Sequence, residues 1–298
     1  MVPCLVAGAL IGRWRPQWIA PLATPLVRFG VPVSLMGLLL HGGLNGSLLG
    51  MALVAVTAIA LMLTILRMLS RGFAALDHPD LQLGSCIGNT AYFGIPASLA
   101  LLPPEALPVS IGYDFGATLL AWGLGPLWLR RRHHSGASHR RWRDLFDHLG
   151  ASPATRGLLG ALIVMATPWH ESVRMALWLP SRAVIVLALV VVGMRLGSIA
   201  ARRLEGPPID LSAALVCKLV LFPALMLLIS LAIPLPGYAR QALVLQAAAP
   251  TAISVLLMVE SQQLNAAGSA QMILRSTLAA LISVPLWNLL LGPMNGTL

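Results

Sequence analysis

The sequence predicts an all-α integral membrane protein, with ten transmembrane helices arranged as two inverted five-helix repeats. Composition, the spacing of the apolar runs and one repeated segment carry that expectation. The chain has 298 residues, 57% of them hydrophobic and only 10% charged, and its mean hydropathy is +0.82. A soluble domain of this size needs far more polar surface, so the composition is that of a polytopic membrane protein.

Marking the apolar runs and their breakers gives ten candidate helices, at about 1–12, 19–41, 46–66, 81–102, 106–129, 157–169, 176–194, 209–233, 238–259 and 268–292. The opening "MVPCLVAGALIG" lacks a basic n-region and reads as a short first span rather than a cleavable signal. At 1.5 Å per residue it reaches about 18 Å, less than the roughly 30 Å of a hydrocarbon core. Between the fifth and sixth candidates lies "RRRHHSGASHRRWRD", the only long polar stretch. It divides the chain into a first five-helix repeat at 1–129, a basic cytoplasmic loop at 130–156 and a second repeat at 157–298.

Arginine placement sets the expected orientation. With ten spans, loops on one side hold fourteen arginines, among them Arg13, Arg67, Arg130, Arg156 and Arg195, whereas the other side holds Arg174, Arg182 and Arg240. Basic residues accumulate in cytoplasmic loops, which puts the central loop inside and both termini outside. The net charge of +10 is thus mainly a topology signal and no sign of nucleic-acid binding.

The repeated segment spans the division. "TLLAWGLGPLW" (Thr118 to Trp128) aligns without gaps to "TLAALISVPLW" (Thr277 to Trp287), matching at Thr, Leu, Ala, Pro, Leu and Trp. Five is an odd number of spans, so a second copy enters the membrane upside down, the plan of secondary transporters.

Within each half the fourth span carries a proline, Pro96 in "GNTAYFGIP" (Gly88 to Pro96) and Pro250 in "AAAPTAIS". A mid-helix proline removes a hydrogen bond and frees backbone groups at membrane depth. Such groups are tolerated where protein or a water-filled cavity satisfies them, so a broken span marks a buried site. Asn89 and Thr90 add hydrogen-bonding side chains, and a helix resuming after the break offers free N–H groups that favour an anion. Packing kinks are the competing explanation, as are close glycine contacts at Gly84 and Gly88 or at Gly112 and Gly116.

"GNTAYFGIP" resembles the fourth-span motif of the auxin efflux carrier family, "QAAAPTAIS" its ninth-span motif and "LRSTLAALISVPLW" its last span. Ala91 stands where that family often has Gly, and Ser254 where it often has Asn. The resemblance implies a bile-acid-symporter-like fold in which helices 4 and 9 are broken and cross at the transport site. It also implies a secondary active permease or efflux carrier for a small organic anion, in the carboxylate class, in a bacterial inner membrane. The expected substrate-binding residues are Asn89, Thr90 and Pro96 from the first half, facing Gln246, Pro250, Thr251 and Ser254 from the second, with Lys218 contributing positive potential.

Asp114 is the only acid away from the ends of an expected span and is the coupling candidate, as carrier of a proton or holder of a cation. An ion pair with Lys218 or Arg275 is its structural alternative, and snorkelling is the alternative for Arg275 and Arg28. Coupling to H⁺ or Na⁺ stays open, and so do a homodimer and a sodium-coupled symporter or non-transporting sensor of the same fold. No HExxH, GxSxG or GxxxxGK[ST] is present, so neither enzyme activity nor ATP coupling is expected. Neither a cofactor nor a metal is called for. Cys4, Cys86 and Cys217 sit in apolar runs as core fillers, and the loop histidines 133, 134, 139 and 148 read as solvated.

Overall fold

The computed structural model describes residues 2–42, 46–130, 153–201 and 210–292. Residues 131–152 lie outside the described residues, and with them most of the expected basic loop, including His133, His134, His139 and His148; so do Arg202 and Arg203. The described chain is helical throughout, with one isolated antiparallel bridge and no strand among the described residues.

The helices run α1 (Val2–Trp14), α2 (Ile19–Pro25), α3 (Val31–Gly42), α4 (Gly46–Leu69), α5 (Pro79–Cys86), α6 (Ile95–Leu101) and α7 (Ala106–Arg130). The second half holds α8 (Pro153–Met165), α9 (His170–Ala201), α10 (Ser212–Val216), α11 (Phe222–Leu231), α12 (Gly237–Ala248), α13 (Ile253–Ser261) and α14 (Ala267–Leu291). Among the described residues five stretches are long and apolar enough to cross a membrane: Pro16–His41, Ser47–Leu69, His170–Ala201, Ser212–Leu231 and Ala267–Leu291. The other segments expected to span differ for identifiable reasons. Helices α1 and α8 have 13 residues each, α7 carries Asp114 and a buried polar face, and the fourth and ninth segments are each split in two.

Three wide turns interrupt the longer stretches, at Leu26–Gly30, Thr90–Gly94 and Cys217–Leu221. Each is followed by one residue and then a proline, namely Pro32, Pro96 and Pro223. A proline ring displaces the carbonyl four residues upstream, and adding one residue to that turn relieves the clash without breaking the helix. This corrects the expectation for Pro96. The helix runs on from Thr90 to Leu101 through that proline, and the break lies upstream, at Ile87 to Asn89.

Small residues set the closest helix contacts. A methyl group at Gly8 or Gly12 of α1 would strike the main chain of α9 at Val190 or Met194, and one at Gly193 or Gly197 would strike Leu5 or Ala9. The two helices therefore meet backbone to backbone through a pair of small-xxx-small stripes. Gly112 and Gly116 bring α7 equally close to Leu48 and Ala52 of α4. The largest buried cluster lies among α4, α5, α7, α11 and α12, with Met62, Leu83, Phe222 and Leu243 wholly enclosed. Cys4, Cys86 and Cys217 are free thiols.

Candidate functional site

Two interrupted helices meet at the centre of the described chain. One ends at Cys86 and resumes at Thr90, and the other ends at Ala248 and resumes at Ile253. Between them Gly88 and Thr251 form the single antiparallel bridge. The Asn89 N–H donates to the Pro250 carbonyl at 2.7 Å, and the Ala252 N–H donates to the Ile87 carbonyl at 3.0 Å. Each break thus supplies hydrogen-bond partners for the other, which is how interrupted backbone persists inside an apolar protein.

The helix ends at these breaks are capped from neighbouring elements. Thr251 Oγ1 donates to the Gly84 carbonyl in the last turn of α5 at 2.8 Å. Lys218 Nζ donates to the Ala247 carbonyl in the last turn of α12 at 2.9 Å. Terminal carbonyls have no intrahelical donor and carry the negative end of the helix dipole, so a hydroxyl and an ammonium are fitting partners.

The opposite, N-terminal ends of the resumed helices open on a cavity of about 130 Å³. Asn89, Thr90 and Ala91 line it from the first half, and Ala252, Ile253 and Ser254 from the second. Free N–H groups and the positive dipole ends favour negative charge there. Asp114 and Thr118 of α7 and Arg195 of α9 also line the cavity, and Tyr92, Trp122 and Val191 supply apolar wall. The Thr90 hydroxyl donates to Asp114 Oδ1 at 2.5 Å, while Asp114 Oδ2 is buried without a partner.

The residues singled out from sequence separate into three groups. Asn89, Thr90, Ser254 and Asp114 share the cavity. Pro250 and Thr251 build the crossing behind it through their main-chain and hydroxyl bonds. Pro96, Gln246 and Lys218 do not line the cavity. Gln246 Nε2 donates to Ser98 Oγ at 3.3 Å, and Gly94 leaves room for its amide, since a methyl there would fall on Gln246 Oε1. Lys218 is fully buried, with its ammonium over the Phe222 ring, 5.0 Å from the centroid. The Asp114–Lys218 ion pair, the structural alternative for that acid, does not form: Thr90 engages the acid and a carbonyl engages the amine. Arg275 is exposed and reaches Gln271 on its own helix.

Sequence reasoning missed Arg195, which it counted in a loop. Helix α9 continues to Ala201, because Gly193 and Gly197 on either side of the arginine pack on the main chain of α1. The string "GMRLG" held that signal. Two glycines four apart mark a helix still in close contact, and the arginine between them is therefore inside the fold.

A helical, apolar chain with an interrupted crossing beside a buried polar cavity belongs to the membrane transport proteins as a class. The sequence model of a family described as membrane transport protein matches residues 144–288, which include the second break and the repeated Pro-Leu-Trp of α14. Over those residues, just under half of its length, the chain is similar to the membrane transport proteins of the auxin efflux carrier family. No curated protein matches the chain.

Proposed function

We propose that this protein is a secondary active transporter of a small organic anion, in the carboxylate class, and that it works by alternating access at the crossing of its two broken helices. The observation that carries this reading is the convergence of both resumed helix starts, Asn89 to Ala91 and Ala252 to Ser254, on one cavity that also holds Arg195. The N–H groups of those helix starts beyond Asn89 and Ala252, whose own N–H groups are spent on the crossing, and a guanidinium stabilise a carboxylate, and the helix starts do so without net charge from the transmembrane backbone. In this reading the chain carries ten spans in two inverted repeats, divided by the basic loop, with both termini outside a bacterial inner membrane.

Asn89 and Ser254 give the anion its polar contacts, and the reciprocal bonds between residues 87–89 and 250–252 form the pivot about which the two sides exchange access. The test is flux of mono- and dicarboxylates and indole acids into proteoliposomes, together with thermal-shift titration of the same acids. Saturable uptake of at least one acid, lost on Asn89→Ala, supports the reading. A purified, folded protein that neither binds nor moves any acid overturns it in favour of a sensor or scaffold.

A further inference from the structure

Asp114 and Arg195 raise a question that anion binding alone leaves open. Both line the same cavity, yet no ion pair joins them: the acid is bonded to the Thr90 hydroxyl through Oδ1, and Oδ2 has no partner. Asp114 is only 1% exposed, so no bulk water compensates the second oxygen. A simple carboxylate bound here shares the cavity with helix starts, a guanidinium and a carboxyl whose second oxygen has no partner. That oxygen is then left unsatisfied or repels the ligand, and both outcomes cost free energy.

We infer that Arg195 and Asp114 divide the recognition of one molecule. Arg195 and the two helix starts hold its carboxylate, and Asp114 Oδ2 accepts a hydrogen bond from an O–H or N–H carried by the same molecule. The substrate class is narrowed to organic acids that bear a donor. Thr90 gives this division its fixed geometry, because its hydroxyl is spent on Oδ1 and leaves only Oδ2 to read the ligand. Apolar wall from Tyr92, Trp122 and Val191 surrounds both polar points, so a compound lacking the donor finds nothing else to pair with that oxygen. Sites built to bond a substrate hydroxyl or amine reject the analogue without it far more strongly than apolar pockets reject an extra methylene.

The inference rests on the reading of the cavity as an organic-anion site, and its test separates the two. Binding to purified full-length protein is measured by thermal shift and calorimetry for two matched pairs, lactate against propionate and indole-3-acetate against naphthalene-1-acetate. At least one donor-bearing member is expected to bind tenfold or more tighter than its partner. Arg195→Gln is expected to weaken both members of that pair by a similar factor, leaving their ratio within threefold of the parent. Asp114→Asn keeps an acceptor for Thr90 and places an NH₂ where Oδ2 stood, so the preference collapses or reverses.

If both pairs bind the parent without discrimination, or if Asp114→Asn folds and keeps the parent's ratio, the inference is wrong while the anion site stands. If none of the four acids binds, the anion site itself fails and takes the inference with it. Should Asp114→Asn not fold, the parent's ratio and its survival in Arg195→Gln still decide the matter.

Discussion

The main-chain N–H of Asn89 donates to the carbonyl of Pro250 at 2.7 Å, although 161 residues separate them in the chain. Because Pro250 sits in a break, its carbonyl is free of any helical ladder, and Asn89 opens the other break as the residue before Thr90. The bond is made by backbone alone. Asn89's own carbonyl accepts from the Phe93 and Gly94 N–H groups at 3.0 and 3.1 Å, which leaves the side-chain amide for the cavity.

Asn89→Ala therefore separates function from folding. Every bond just described survives the substitution, so the melting temperature of the purified variant is expected to stay within a few degrees of the parent. Flux is expected to fall at least tenfold, since a lost bond to a charged group costs about 1.5–3 kcal/mol. Normal flux with unchanged affinity would make the side chain a packing group.

The contact between α1 and α9 gives a stability prediction. A side chain at Gly193 meets the Leu5 main chain, which cannot rotate away as a side-chain tip can. Gly193→Leu is expected to destabilise the protein by at least about 1–3 kcal/mol, the usual cost of overpacking, and to reduce the yield of monodisperse protein in detergent. Gly50 has open space at the equivalent position of a methyl group, and Gly50→Ala serves as the control that should leave stability unchanged or slightly raised.

Much of this arrangement was legible in the sequence. Each helix described overlaps an apolar run, because burial in a membrane protein is written into hydropathy, although α9 extends past its run at both ends, over 170–201 against 176–194. The two breaks were also expected, but the first was assigned to Pro96. Proline announces a lost hydrogen bond, not whether the helix parts or merely widens, and at Pro32, Pro96 and Pro223 it widens. The actual break at Gly88 is held open by partners on a distant strand of chain, Pro250 and Thr251. Lys218 illustrates the same limit. Its partner is a carbonyl 29 residues away, and no local pattern distinguishes an ammonium that caps a helix from one that greets a ligand.

Orientation gives a third test. In the function proposed above, the excess of arginine around the central loop means a cytoplasmic loop. Ser138→Cys, in a background with Cys4, Cys86 and Cys217 replaced, is expected to react in whole cells only with a membrane-permeant maleimide. Labelling by an impermeant reagent before lysis would reverse the assignment of both termini.

Lys218 provides the last prediction, and here the structure changes the outcome expected from sequence. An ammonium placed to attract substrate would line the cavity. Instead Lys218 is fully buried on the wide turn Cys217–Leu221, bonded to Ala247 and close to Gly88, where an added methyl group would sit 3.2 Å from Nζ. It ties the C-terminal end of α12 to the break after α5 and brings a positive charge to the negative end of a helix. Lys218→Met keeps most of the side-chain volume and removes the donor, leaving the Ala247 carbonyl unpaired at a cost of about 1–3 kcal/mol. The variant is expected to melt earlier than the parent, while the affinity of its folded fraction for a bound acid stays within threefold. Gly88→Ala crowds the same ammonium and should shift stability in the same direction. A Lys218→Met protein with the parent's melting temperature and a tenfold weaker affinity would instead make the ammonium part of the anion site, acting through the backbone of the crossing.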